Sequence, residues 1–68
     1  MELSRYMNGG KMAAVDKRSM MYEVSFFQNG QLTHITKAFT EAEAEALAEN
    51  YVQGHGPQTL LTESIING

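Results

Sequence analysis

Asn29-Gly30 constrains this chain more than any other pair of residues. Both residue types tolerate positive φ, which a two-residue type I′ turn demands at both central positions. The runs on either side alternate apolar and polar residues, so Met20 to Phe27 reads as one strand and Leu32 to Phe39 as its antiparallel partner. A two-residue turn pairs Phe27 with Leu32, Phe26 with Thr33, Ser25 with His34 and Val24 with Ile35. That register puts Tyr22, Val24, Phe26, Ile35 and Phe39 on a core face. Glu23, Ser25, His34 and Thr36 fall on the other face, with Phe27 and Leu32 near the turn.

A helix start follows at once. Thr40 with Glu43 three residues on makes a capping box, and Phe39 before the cap is placed to staple onto Ala44. Helix formers dominate through Gln53, Gly54 supplies a C′ glycine, and Gly56-Pro57 prevents continuation. Ala44, Leu47, Ala48, Tyr51 and Val52 form the apolar stripe. Gln58 to Ile66 reads as a last strand whose facing is ambiguous, because Leu60-Leu61 and Ile65-Ile66 are adjacent pairs. A right-handed crossover sets this strand beside the first one. The expected fold is therefore α+β: a small three-stranded mixed sheet in ββαβ order, with one helix packed on one face, over residues 20–68.

Residues 1–19 are weakly patterned. Asn8-Gly9-Gly10 is a turn signal, Leu3 to Met7 suits a short strand, and Lys11 to Val15 suits helix or strand. All five methionines fall at or before position 21, a composition that suits an adaptable contact surface. This segment is expected to be an N-terminal arm, either a flexible extension or an extra strand.

A 68-residue chain holds one domain at most. A domain of that size buries only about 60% of its unfolded surface and commonly needs a disulfide, a metal or a partner. Cysteine is absent, and two isolated histidines, His34 and His55, do not make a structural zinc site. Oligomerisation or docking onto a partner is the support that remains. No apolar run is long enough to span a membrane, and the N-terminus lacks the apolar core of a signal peptide, so the chain reads as cytoplasmic.

The net charge of −3 is unevenly spread. Arg5, Lys11, Lys17 and Arg18 make the first segment mildly basic, whereas Lys37 stands against Glu23, Glu41, Glu43, Glu45, Glu49 and Glu63 in the rest. An acidic body repels phosphate backbones and favours a partner protein with a basic surface. Direct nucleic-acid binding is left to the basic first segment alone.

Two groups of residues are candidates for contact. Glu41, Glu45 and Glu49 recur at four-residue spacing and form one acidic helix ridge, which suits an Arg/Lys surface or is simply a solvated face. Phe27 and Leu32 lie on the sheet face that the helix leaves bare, open to the first segment, a second copy or a foreign partner. No catalytic grouping emerges. Ser25 and His34 are cross-strand neighbours without a carboxylate, and Gly54-His55-Gly56 lacks the lysine and strand-to-helix context of a phosphate loop. No cofactor or metal is expected, and the chain does not read as an enzyme.

In being short, cysteine-free, acidic and built from a small sheet with one helix, the chain resembles small accessory proteins of phages and mobile elements, including anti-CRISPR inhibitors. The resemblance implies a non-enzymatic interaction module that occupies a site on a larger host complex through the acidic ridge or the bare sheet face. The alternatives are a structural homodimer or assembly subunit using the uncovered sheet face, and a nucleic-acid-associated protein using the basic segment.

Overall fold

The computed structural model describes residues 1–54, which form four strands followed by one helix. These are β1 (Glu2–Asn8), β2 (Lys11–Lys17), β3 (Tyr22–Gln28), β4 (Gln31–Ala38) and α1 (Glu41–Val52). The strands form one antiparallel meander in the order β1-β2-β3-β4. The expected three-stranded ββαβ sheet is thus corrected: every described strand precedes the helix. The place beside β3 assigned to a last strand is taken by β2. The strand expected over Gln58 to Ile66 lies outside the described residues.

The correction comes from the segment expected to be an arm. Gly9, at φ +62°, and Gly10 close the β1–β2 hairpin. The β2–β3 connection is a tight turn closed by the Arg18 N–H donating to the Met21 carbonyl at 2.8 Å. The two hairpin turns at the far end of the sheet also touch, with Asn29 N–H donating to the Gly10 carbonyl at 2.7 Å. A Cβ on Gly10 would meet the Asn29 side-chain amide, which would have to turn aside.

The β3–β4 hairpin forms around Asn29 (φ +52°) and Gly30 (φ +84°), as the turn chemistry requires. Phe27 pairs with Leu32 as expected. One step further in, Thr33 bulges out of β4, so Phe26 pairs with His34, Ser25 with Ile35 and Val24 with Thr36. The Thr33 hydroxyl donates to the Phe26 carbonyl at 3.1 Å and occupies the group that the bulge disturbs. An extra residue in one strand reverses the facing of everything after it. His34, Thr36 and Ala38 therefore face the helix, and Ile35 faces away, 46% exposed. Phe39 is likewise not core: Ala38 takes the buried position and Phe39 is 80% exposed. Thr40 Oγ1 accepts from Glu43 N–H at 3.1 Å as a cap should, but the Glu43 carboxylate accepts from the N–H of Phe39, one residue before the cap, at 3.2 Å, and the apolar staple is not made.

The helix lies mainly over β2 and β3. Its stripe of Ala44, Leu47, Ala48, Tyr51 and Val52 packs onto Ala13, Val15, Val24, Phe26 and Ala38. Alanines on both layers let helix and sheet approach closely around Phe26, the largest fully buried side chain. The Tyr51 ring meets Phe26 edge-on at 4.9 Å, and its hydroxyl donates to the Phe27 carbonyl at 2.9 Å. At the helix end, Asn8 Nδ2 donates to the Val52 carbonyl at 2.7 Å, satisfying a group that the helix leaves orphaned.

This register predicts opposite outcomes for two neighbouring apolar residues. Phe26→Ala should cost about 3–5 kcal/mol, as for other fully buried aromatics. Ile35→Ala should cost about 1 kcal/mol or less, because its side chain is on the open face. Urea unfolding of both variants checks this; a loss of about 2–5 kcal/mol for Ile35→Ala would place it in the core and refute the bulged register.

Candidate functional site

The face opposite the helix is a grid set by strand pairing, since residues directly opposite in an antiparallel ladder share a face. Nearest the two glycine turns, Met7 pairs with Met12, Met12 with Phe27, and Phe27 with Leu32. Four apolar side chains thus line up across all four strands. Met7 is 69% exposed and Leu32 53% exposed, with Met12 and Phe27 half-buried between them. The middle row is Arg5, Ala14, Ser25 and Ile35. The third row is Glu2, Asp16, Glu23 and Lys37.

The charged groups on this face neutralise one another. Leu3 is the extra residue of a second bulge, in β1, which brings Glu2 and Arg5 to the same face. Arg5 grips the Glu2 carboxylate through Nε at 3.0 Å and Nη2 at 2.9 Å. Arg18 reaches Glu23 at 2.9 Å, and Lys37 stands across the ladder from the same Glu23. Each guanidinium is held above its ordinary pKa, first by the hydrogen bond to its carboxylate and then by its charge. The Glu2 carboxyl is held below its ordinary value by the Arg5 hydrogen bond. Arg5, Glu2 and Arg18 are exposed and Glu23 is partly buried, so the pairs set the face's charge pattern more than its stability.

The expected acidic ridge comes apart. Glu45 turns inward to β1, where it accepts from Ser4 Oγ at 2.6 Å and from the Tyr6 hydroxyl. It is a tie between helix and edge strand, not a free contact residue. Glu41 and Glu49 stay exposed. Phe27 and Leu32, by contrast, face each other on the open side. Met7 and Met12 were read only among the methionines of an adaptable segment and not as members of this row, although Asn8-Gly9-Gly10 read as a hairpin turn sets these two opposite each other. The basic residues of the first segment do not form a free patch. Arg5 and Arg18 are paired with carboxylates, and Lys11 and Lys17 stand 5.5 and 4.6 Å from the rings of Tyr51 and Tyr22.

Among the described residues, no group of three or more acidic or histidine side chains could hold a metal ion. No described helix is long and apolar enough to cross a membrane. A shallow, solvent-open hollow beside the β4 bulge is lined by Leu32, Thr33, His34 and Ile35. His34 lies on the helix side, with its ring stacked 5.8 Å from Phe26.

The Tyr6–Glu45 contact carries a titration signature. The Tyr6 hydroxyl is pushed up from 10.0 to about 12, first by its hydrogen bond to Glu45, then by desolvation and by the Glu45 and Glu49 charges. The folded state holds this proton more tightly than the unfolded chain does. Its contribution to stability is therefore complete below the ordinary tyrosine pKa and is lost as pH rises from about 10 to about 12. In an ultraviolet tyrosinate titration, Glu45→Gln should move one tyrosine back toward its ordinary value and Glu41→Gln should move none. Tyr6→Phe identifies the transition, and an unshifted curve in Glu45→Gln would refute the tie.

No protein-family model matches the sequence, no curated protein matches it, and no solved structure matches the fold.

Proposed function

We propose that the protein is a non-enzymatic interaction module whose contact surface is the sheet face opposite the helix. The observation that carries the reading is the apolar row Met7–Met12–Phe27–Leu32, aligned across all four strands with no described element over it. A continuous apolar strip with a polar border is the usual composition of a protein contact surface. Two of its four members are methionines, whose unbranched side chains adapt to a partner's relief. The small size, the absence of cysteine and the one-helix sheet support an accessory protein that works by occupying a site on a larger assembly, in the manner of phage-encoded inhibitors. The exposed pair Glu41 and Glu49 supports a second reading, in which a basic partner docks on the helix.

The two readings separate by mutation. The chain is immobilised and exposed to lysate of cells that carry its gene, alongside Phe27→Asp/Leu32→Asp and Glu41→Lys/Glu49→Lys variants. Circular dichroism checks that both variants stay folded. The sheet-face variant should lose the bound protein, by tenfold or more, and the helix variant should keep it. Retention by the sheet-face variant with loss by the helix variant would move the contact surface to the helix.

A further inference from the structure

Charge decides which kind of protein suits this face. Glu2, Asp16 and Glu23 are matched there by Arg5, Arg18 and Lys37, and the Met1 ammonium stands 4.0 Å from Asp16 Oδ1, so the open face carries little net charge of either sign. The remaining charges among the described residues lie on the helix side, where Glu41, Glu43, Glu45 and Glu49 outweigh Lys11 and Lys17. A strongly basic partner would gain nothing at the open face that the helix side would not offer more of. A second copy of the same face is repelled by neither sign, whereas two helix faces repel each other.

Resting on the reading of this face as a contact surface, we infer that its occupant is a second copy of this chain. The two sheets pack face to face about a twofold axis parallel to the strands. Such an axis keeps the rows in register and reverses the strand order. The apolar row then meets itself: Met7 lies opposite the partner's Leu32, and Met12 opposite the partner's Phe27. At the other end Glu2 lies opposite the partner's Lys37, twice by symmetry. In the centre Asp16 approaches the partner's Glu23, which brings its Arg18 with it. The middle row has the small Ala14 and Ser25 at its centre, which suits the ~10 Å spacing of aligned sheet packing, with Arg5 opposite the partner's Ile35 at each end.

The size of the face sets the strength of the association. Four strands about 4.8 Å apart and seven residues of about 3.4 Å give a footprint of roughly 19 by 23 Å per copy. Even allowing for side-chain relief, that footprint is small beside the ~800 Å² of accessible surface buried per partner in a standard stable complex. The dimer is therefore reversible, and its population depends on concentration in the working range.

Sedimentation equilibrium of the full chain, from micromolar to millimolar, tests this. The expected result is a monomer–dimer equilibrium that Phe27→Asp shifts to monomer by at least tenfold in dissociation constant; Leu32→Asp, at a more exposed site, gives the same readout if Phe27→Asp disturbs folding. The register is tested by Glu2→Lys and Lys37→Glu. Each alone should weaken the dimer, and an equimolar mixture of the two should recover it as a heterodimer, because each altered residue then meets its opposite charge. Glu2 and Lys37 lie on opposite edge strands, so recovery reports contact between chains. A monomer at every concentration overturns the inference; the contact-surface reading still stands if Phe27→Asp also abolishes capture of another protein. A dimer that Phe27→Asp and Leu32→Asp leave unchanged overturns both.

Discussion

The fold depends on how closely one short helix can lie on a four-stranded sheet. Phe26 is the centre of that contact, with Ala13 beside it on β2, His34 beside it on β4 and the Tyr51 ring above it. Alanines at 13, 38, 44 and 48 are buried around it, so one aromatic ring fills a space bounded by small residues. The helix is twelve residues long and marginal by itself, and its stability comes from this packing and its caps. Asn8 at one end and the Thr40 cap at the other satisfy groups that would otherwise be orphaned.

One helix can cover one face of a sheet, and the consequence is chemical. The covered face takes the small and aromatic residues together with the chain's excess acid on the helix. The uncovered face takes an apolar row, a middle row of Arg5, Ala14, Ser25 and Ile35, and an acidic row that Arg5, Arg18 and Lys37 offset. The Glu45 tie to Ser4 and Tyr6 belongs to the covered side and anchors the edge strand β1 to the helix. It spends a carboxylate that spacing alone assigns to a ridge. What remains outward on the helix is the pair Glu41 and Glu49, a weaker and more scattered charge than the ridge implies.

Some elements were legible because their signals are local. The Asn29-Gly30 turn, the Thr40 cap, the Gly54 stop and the helix stripe each depend on residues within a few positions. Phe27 and Leu32 were legible on the open face because they flank the turn directly. The first two strands were legible only in part: Leu3 to Met7 suits a short strand, Lys11 to Val15 suits helix or strand, and neither was placed in the sheet. β2 runs Lys-Met-Ala-Ala-Val-Asp-Lys, and Ala13, Ala14 and Val15 are all buried. Ala14 lies on the uncovered face but its short side chain is hidden among its neighbours, so the strand's burial does not alternate, and alanine has low strand preference. The turn that joins β2 to β3, Arg18-Ser19-Met20-Met21, has no glycine, asparagine or proline to mark it.

By itself, the sequence determined the turns at Asn8-Gly9-Gly10 and Asn29-Gly30, where the helix starts and stops, and which helical residues face inward, because backbone sterics and capping act over a few residues. Only the tertiary structure decided the facing of Ile35 and Phe39, the loss of Glu45 from the ridge and the alignment of Met7 and Met12 with Phe27 and Leu32. A single bulged residue at Thr33 reverses every side chain that follows it, and its position depends on the neighbouring strand and the helix above. Cross-strand rows join residues that are distant along the chain, so they exist only once all four strands have paired.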